Sequence, residues 1–128
     1  MSDPTWDLQR TKLNLSHEEY VRKRAQDAAD IVRRAQSGTI GLLLAACKIN
    51  SILHELSELQ KRAKREDFLF LTGVASECDE LPLDSERQYW APQSLKEKDR
   101  KAQAYEQAIR EELLTAFARI ANDLKELL

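Results

Sequence analysis

The stretch of residues 39–63 constrains the fold of this chain more than any other. Its apolar residues recur at steps of three and four, the spacing that keeps side chains on one stripe of an α-helix: Leu42, Ala45, Ile49, Ile52, Leu56, Leu59 and Ala63. Further apolar residues broaden the stripe in the first half: Leu43, Leu44, Ala46 and Cys47. A helix that is apolar around so much of its circumference must be covered on more than one side. The stretch therefore predicts a helix around which the rest of the chain is organised.

The composition favours a helical protein. Only 3 Gly and 3 Pro occur in 128 residues, whereas strong helix formers such as Ala, Leu, Glu and Lys are abundant. A chain of this length folds as one domain with an adequate core. We therefore expect an all-α, antiparallel helical bundle of about four helices, with a long second and a long last helix. Residues 1–15 form an N-terminal arm in this interpretation, and residues 16–128 form the single bundle domain.

The first helix has recognisable ends. Ser16 and Glu19 have the spacing of a capping box, which predicts that the helix begins at Ser16. Gly38 suits the left-handed residue that follows a helix, so we expect the helix to end near residue 36. Ser37 or Thr39 can cap the next helix. A turn this short makes the first two helices antiparallel neighbours.

The later helix boundaries are less sharply marked. Residues 39–80 fit either one long helix or two. No Pro or Gly, which would mark a helix boundary, lies between Leu42 and Thr72. Ser94 and Glu97 repeat the spacing of a capping box and predict a last helix that runs to about Leu128.

The additional apolar residues of the second helix predict a contact face, which we define as Leu43, Leu44, Ala46 and Cys47. The packing of the aliphatic stripe against the rest of one bundle does not cover this face. A twofold dimer that pairs the second helix with its symmetry mate would cover it. Alternatively, the N-terminal arm and residues 68–81 cover it within one chain. We expect the homodimer, and hence a mass in solution twice that of the chain.

Two adjacent aromatic residues, Tyr89 and Trp90, lie in the irregular stretch of residues 81–92, which Pro82 and Pro92 bracket. Aromatic side chains on a loop are candidates for a partner-binding surface. The alternative is that both rings cap one end of the bundle core.

Basic residues of the first two helices form a second candidate surface. If these helices are antiparallel, seven cations lie near one another, and we call them the basic cluster: Arg22, Lys23, Arg24, Lys61, Arg62, Lys64 and Arg65. Such a cluster can hold phosphates. The net charge is only −2, however, acids are interleaved with the cations, and no aromatic residue or nucleic-acid-binding motif accompanies them. Nucleic-acid binding is therefore the second hypothesis for function.

A third hypothesis comes from the fragment HELSE at residues 54–58. It resembles the EExxE motif of the MazG-like all-α nucleotide pyrophosphatases, whose carboxylates hold magnesium against a nucleotide triphosphate. The resemblance implies Glu55, Glu58 and, from the last helix, Glu112 as metal ligands. His54 stands where the family has its first Glu, and the family's ExxD element has no counterpart that supplies the Asp. The aliphatic stripe also places Glu55 on the flank of the helix and turns His54 and Glu58 outward.

Neither cysteine predicts a chemical role. Cys47 and Cys78 have no CxxC or Cys/His spacing, so we expect inert thiols in a reducing compartment. The polar N-terminal residues do not form a signal peptide, and the dense apolar run of residues 40–47 is far shorter than the ~20 residues of a membrane span. These features predict a cytoplasmic protein.

The sequence thus favours a non-enzymatic interaction or regulatory protein. We expect a small adaptor, an immunity- or antitoxin-like binder, or an assembly subunit, with no catalytic residue, no cofactor and no metal.

Overall fold

The computed structural model describes residues 15–83 and 85–128. Its α-helices are α1 (His17–Ser37), α2 (Leu42–Glu55), α3 (Ser57–Arg62), α4 (Arg65–Glu77) and α5 (Pro92–Asp123). Short 3₁₀-helices cover Ser85–Tyr89 and Lys125–Leu127. No β-strand occurs in the two described ranges, so the prediction of an all-α fold is confirmed. The predicted N-terminal arm lies outside these ranges except for Leu15, which packs against the core.

Helix α1 has the predicted ends. The Oγ of Ser16 accepts a hydrogen bond from the backbone N–H of Glu19 at 3.1 Å. Gly38 adopts the left-handed conformation with φ of 80° and ends the helix. These local signals act within a few residues, which explains why the sequence predicts them correctly.

Helix α2 is capped by a residue that the sequence did not indicate. The hydroxyls of Ser37 and Thr39 both donate back to the carbonyl of Arg34, at 3.1 Å each, so they belong to the end of α1. The backbone N–H of Leu42 instead donates to Oε1 of Glu106 at 3.1 Å. A carboxylate at the start of a helix also complements the helix dipole.

The prediction of a long second helix is wrong, because the helix breaks at Leu56. This residue is extended, with φ of −127° and ψ of 122°. Its carbonyl accepts the N–H groups of Leu59 and Gln60, at 3.1 Å each, and so starts α3. Leu56 and Leu59 are both buried, so the extended residue keeps both side chains in the core. Tertiary burial here overrides the local helix propensity.

A second pair of extended residues, Ala63 and Lys64, separates α3 from α4. Neither interpretation of residues 39–80, one helix or two, gives the observed number, because the stretch contains the three helices α2, α3 and α4. Helix α4 turns one face into the core, since Leu71, Val74 and the following Cys78 are all buried.

The start of the last helix differs from the prediction. Helix α5 begins at Pro92, with Ala91 as the N-cap, so Ser94 already lies inside the helix. Proline suits the first helical position because its φ is already helical and its missing N–H needs no partner there. Side chains of α5 are fully buried only from Leu113 onward, and the first half of the helix is more exposed.

The core confirms the aliphatic stripe of residues 42–63, since all seven of its predicted members are buried. Helix α2 lies at the centre and packs most extensively against α4 and then α1. Burying one large aliphatic or aromatic side chain stabilises a fold by about 1.5–3 kcal/mol. The largest fully buried hydrophobic side chains come from all five α-helices and from the C-terminal segment: Tyr20, Phe117, Ile49, Leu53, Leu59, Leu71, Leu113, Ile120 and Leu124. None of the helices in the described ranges combines the length and apolar character that crossing a bilayer requires.

Candidate functional site

A polar cluster joins α1 to the end of α2. The hydroxyl of the fully buried Tyr20 donates a short hydrogen bond to Oε1 of Glu55. The guanidinium of Arg24 donates through Nε to the other Glu55 oxygen at 3.2 Å and through Nη1 to Asp27 at 2.7 Å. Burial raises the pKa of Tyr20, and the hydrogen bond to Glu55 raises it further. Both carboxylate oxygens of Glu55 are thus engaged with α1.

The second carboxylate of the EExxE-like fragment is also engaged. Nε2 of His17 lies 2.5 Å from Oε2 of Glu58, and the hydroxyl of Ser57 donates to Oε1 of Glu58 at 3.0 Å. Burial raises the pKa of Glu58, but the hydrogen bonds from Ser57 and His17 outweigh burial and leave that pKa below its ordinary value. Glu58 therefore faces the start of α1, with its side chain 40% exposed.

The fragment at residues 54–58 points toward different parts of the molecule. His54 is exposed and lies beside α4, with its ring centroid 4.7 Å from that of Phe68. Glu55 and Glu58 face α1, as described above. Glu112 lines a separate cleft near α4. Within residues 15–83 and 85–128, no group of three or more His, Cys, Asp or Glu side chains is placed to hold a metal ion.

The cleft that contains Glu112 is built around an ion pair in which only the carboxylate is buried. Asp67 is 1% exposed, and Arg119 donates to both of its oxygens over distances of 2.7 to 3.2 Å. The cleft has a volume of about 460 Å³, and Glu66 and Glu111 also line it. The sequence did not predict this pair, because Asp67 has only the pattern of an acidic residue in the first turn of a helix. The pair has a structural role, because its bidentate hydrogen bonds link α4 to α5.

The basic cluster is divided by ion pairs. Arg24 turns to Glu55 and Asp27, and Nζ of Lys23 lies 3.2 Å from an oxygen of Asp27. Nη1 of Arg62 lies 2.7 Å from Oε2 of Glu126.

Three members of the basic cluster do meet at one end of the molecule. Arg22, Lys61 and Arg62 line a cleft of about 570 Å³ where α1 begins. Three carboxylates line the same cleft: Glu18, Glu58 and Glu126. Lys64 and Arg65 are exposed and lie outside this lining. The cleft therefore has mixed charge, and nucleic-acid binding stays a prediction.

The contact face is partly covered by the chain itself. Leu43 is 4% exposed and Ala46 is fully buried, whereas Leu44 and Cys47 keep part of their surface. In this conformation only Leu44, Cys47 and the edge of Leu43 can touch a partner. Contact with a second copy stays a prediction for that remaining surface.

An open groove lies beside the contact face, and we call it the α2–α5 groove. Its volume is about 300 Å³. Leu43 and Leu44 form one apolar side, and Leu83 and Ala102 extend it onto the loop and α5. The polar residues Asp99, Gln103 and Glu106 complete the lining. This groove places the predicted contact face next to the more exposed half of α5.

The aromatic pair of the loop is split between two environments. Tyr89 is 82% exposed, so it does not cap the core. Trp90 is half-buried, and the ammonium of Lys98 lies 5.8 Å from its ring centroid. Arg87 fixes the loop to α5 through two hydrogen bonds to Asp99, at 2.7 and 3.0 Å. A partner-binding role for Tyr89 and Trp90 stays a prediction.

The two cysteines, which are far apart in sequence, influence each other in the fold. Cys47 lies in the middle of α2 and Cys78 directly follows α4. Both are free thiols, and each shifts the pKa of the other: the pKa of Cys47 is lowered and that of Cys78 is raised. No spacing rule predicts this influence, because the packing of α2 against α4 creates it.

Comparison with protein-family models, with curated proteins and with solved structures finds no match to this chain.

Proposed function

We propose that this protein is a non-enzymatic protein–protein interaction module that acts as a homodimer. In this proposal, the first half of α5 forms the dimer contact, beside the α2–α5 groove. The observation that carries it is a partly exposed stripe along α5 whose members recur at steps of three and four: Leu95, Lys98, Ala102, Tyr105 and Ile109. Ala102, Tyr105 and Ile109 also pack against the core of their own chain, and the surface that they leave open forms the proposed contact. From Leu113 onward, one face of the same helix is buried within the chain, through Leu113, Ala116, Phe117 and Ile120. Spacing of this kind is typical of a helix that pairs with another helix.

The stripe is self-complementary about Ala102, which is why we propose a second copy as its partner. In an antiparallel pair of α5 helices that cross at Ala102, residues equally far before and after it face each other. Leu95 precedes Ala102 by seven positions and Ile109 follows it by seven, so these two apolar side chains meet. Lys98 and Glu106 lie four positions on either side, so opposite charges meet. Within the chain, Lys98 also lies over the Trp90 ring and Oε1 of Glu106 accepts the N–H of Leu42. The small side chain of Ala102 lets the two backbones approach closely.

The non-enzymatic part of the proposal rests on the engaged carboxylates. A magnesium-dependent hydrolase needs carboxylate oxygens that are open to a metal ion. Glu55 is instead hydrogen-bonded to Tyr20 and Arg24, and Glu58 to His17 and Ser57.

The proposal includes the arrangement and location of the helices. We propose that the longer helices α1, α2, α4 and α5 form an antiparallel bundle in each protomer. We also propose a cytoplasmic location, with the two free thiols as its support.

Sedimentation equilibrium of the full chain at micromolar concentration tests the dimer. We expect a mass twice that of the chain. Lys98→Glu places like charges opposite each other at both symmetric positions, so we expect its dimer affinity to fall by about tenfold or more. Lys96→Glu is the matched control, because Lys96 is exposed on another side of α5 and undergoes the same charge change. A monomer at this concentration, or equal effects of the two variants, would contradict the proposed contact.

A further inference from the structure

One side of α4 keeps apolar surface exposed. Leu69 is 51% exposed and lies outside the core cluster, and Phe70 is only partly buried. Gly73 follows at helical spacing and is exposed, with open space where a side chain would lie. We call Leu69, Phe70 and Gly73 the α4 face. It shares no residue with the proposed dimer contact on the first half of α5.

The α4 face borders the cleft that holds Asp67 and Arg119, because Phe70 belongs to both. The described lining of this cleft has four carboxylates and one guanidinium, which leave a net charge of −3: Glu66, Asp67, Glu111, Glu112 and Arg119. The whole chain carries only −2, so negative charge is concentrated in the cleft beyond what the composition requires.

Three of these carboxylates are open to a partner. Arg119 occupies both oxygens of Asp67, so the cation of the described lining is already paired. By contrast, no hydrogen bond or ion pair within the described ranges engages the exposed side chains of Glu66, Glu111 and Glu112. The open charges are therefore all negative. Such a surface attracts a positively charged partner and repels nucleic acid and anionic membranes.

We infer that the α4 face and this cleft dock a basic amphipathic helix of a partner protein. Apolar side chains of the partner cover Leu69 and the Phe70 ring, and its Lys or Arg side chains reach the carboxylates of the cleft. A helix suits this surface because the α4 face recurs at helical spacing and Gly73 lets a partner backbone approach closely. A partner cation can also stack on the Phe70 ring. This docking adds a second surface to the proposed interaction role and does not require the dimer.

Fluorescence anisotropy of a labelled model peptide, titrated with the full chain, tests this docking. The probe is an amphipathic peptide of about 18 residues, or about five helical turns, built only from Leu and Lys with Leu along one face. We expect a micromolar Kd at physiological ionic strength. The matched peptide with Glu in place of every Lys should not bind, because the cleft repels it. No binding of the Lys peptide at micromolar chain, or equal binding of both peptides, would overturn the inference.

Charge-reversal variants separate the cleft from the charge of the rest of the molecule. Glu111→Lys with Glu112→Lys should weaken binding of the Lys peptide by about tenfold or more. Glu18→Lys with Glu19→Lys is the matched control, since it changes the net charge equally at exposed side chains outside the lining of this cleft. Equal losses in the two double variants would show that net charge alone attracts the peptide, which contradicts a site on the cleft.

The apolar part of the contact has its own pair of variants. Leu69→Ser should weaken peptide binding by about tenfold, because an apolar anchor is lost. Leu128→Ser, at a side chain that is 47% exposed, should leave binding unchanged. Leu69 lies outside the core cluster, so we expect a native circular dichroism spectrum for its variant. An unchanged peptide affinity of Leu69→Ser would rule out the α4 face as the anchor.

Sedimentation of Leu69→Ser tests whether a second copy occupies the α4 face instead. We expect the mass of the variant to equal that of the wild type, because the occupant is another protein. A lower mass for the variant would identify a second copy as the occupant and overturn the inference. A monomeric wild type would contradict the proposed dimer alone, since the peptide titration works with either form.

Discussion

Tyr20 is the largest of the fully buried side chains in the described part of the chain, and it carries a polar group into the core. A buried hydroxyl destabilises the fold unless it is hydrogen-bonded. Glu55 accepts that hydrogen bond, and Arg24 in turn holds Glu55. The three side chains therefore satisfy one another, which explains how an acid on the central helix can lie against α1.

We expect Tyr20→Phe to lower the free energy of unfolding by about 1–2 kcal/mol at neutral pH, because the hydrogen bond to a charged group is lost while Arg24 still pairs with Glu55. Urea unfolding followed by circular dichroism measures this change. Tyr89→Phe is the matched control, since Tyr89 is 82% exposed, and it should leave the stability unchanged. A loss of equal size in both variants would contradict the role given to the Tyr20 hydroxyl.

The raised pKa of Tyr20 also predicts a pH dependence. In the unfolded chain Tyr20 loses its proton near its ordinary pKa of 10.0, whereas in the folded protein it keeps the proton to higher pH. Above pH 10 the folded state binds more protons than the unfolded state, so stability falls as pH rises. The Tyr20→Phe variant lacks this contribution. We expect its stability to fall less steeply than that of the wild type between pH 9 and pH 11.

At the scale of secondary-structure elements, helix ends are determined in two ways. Helix α1 is bounded by Ser16 and Gly38, which act through the backbone of their own neighbours. Helices α3 and α4 begin after extended residues, Leu56 and Lys64, that provide no side-chain cap. The latter boundaries depend on what the rest of the fold covers, as the burial of Leu56 shows.

The glycines offer a direct test of the α1 boundary. A side chain at Gly38 would be forced into a left-handed conformation, so Gly38→Ala should lower the free energy of unfolding by about 1 kcal/mol. Gly73→Ala is the matched comparison, because Gly73 lies inside α4 in open space and has no positive φ. There the substitution should raise stability by about 0.5–1 kcal/mol. Thermal melts of both variants measure the difference, and a Gly38→Ala variant as stable as the wild type would contradict the assigned end of α1.

At the scale of the whole molecule, ion pairs between distant helices differ in burial. The pair of Asp67 and Arg119 has one partner almost completely buried, whereas Glu126, the partner of Arg62, is 79% exposed at its side chain. Surface pairs contribute little to stability, but removal of the partner of a buried charge leaves that charge uncompensated. The first pair should therefore matter for the attachment of α4 to α5, and the second should not.

We expect Arg119→Ala to lower the Tm by several degrees, since it leaves the Asp67 carboxylate buried without its cation. Arg62→Ala should have almost no effect, because its partner remains solvated. Differential scanning calorimetry of the two variants compares these losses directly. The double variant Asp67→Asn with Arg119→Ala should recover part of the loss, because no buried charge then remains. An Arg119→Ala melt equal to that of Arg62→Ala would show that the pair is energetically equivalent to a surface contact.

The candidate surfaces also belong to this scale, because each combines elements that are far apart in the chain. Leu44 was predicted as a contact residue from the pattern of one helix, yet it is the packing of α5 that turns it into one wall of a groove. The basic cluster was predicted from the antiparallel arrangement of the first two helices. Nearby acids divide it through specific ion pairs such as that of Arg24 with Glu55. The residue types were visible in the sequence, but their pairing was not.

The sequence by itself determined the all-α class, the ends of α1 and the aliphatic stripe that lies in the core. Each of these follows from interactions over a few residues, namely capping, helical periodicity and the preferences of Gly and Pro. Tertiary structure alone decided the break at Leu56, the cap that Glu106 provides for α2, the pairing of Asp67 with Arg119 and the mutual influence of Cys47 and Cys78. These features join distant parts of the chain or depend on burial by them, so no local pattern specifies them. They exist because helices that pack to exclude water bring particular side chains together.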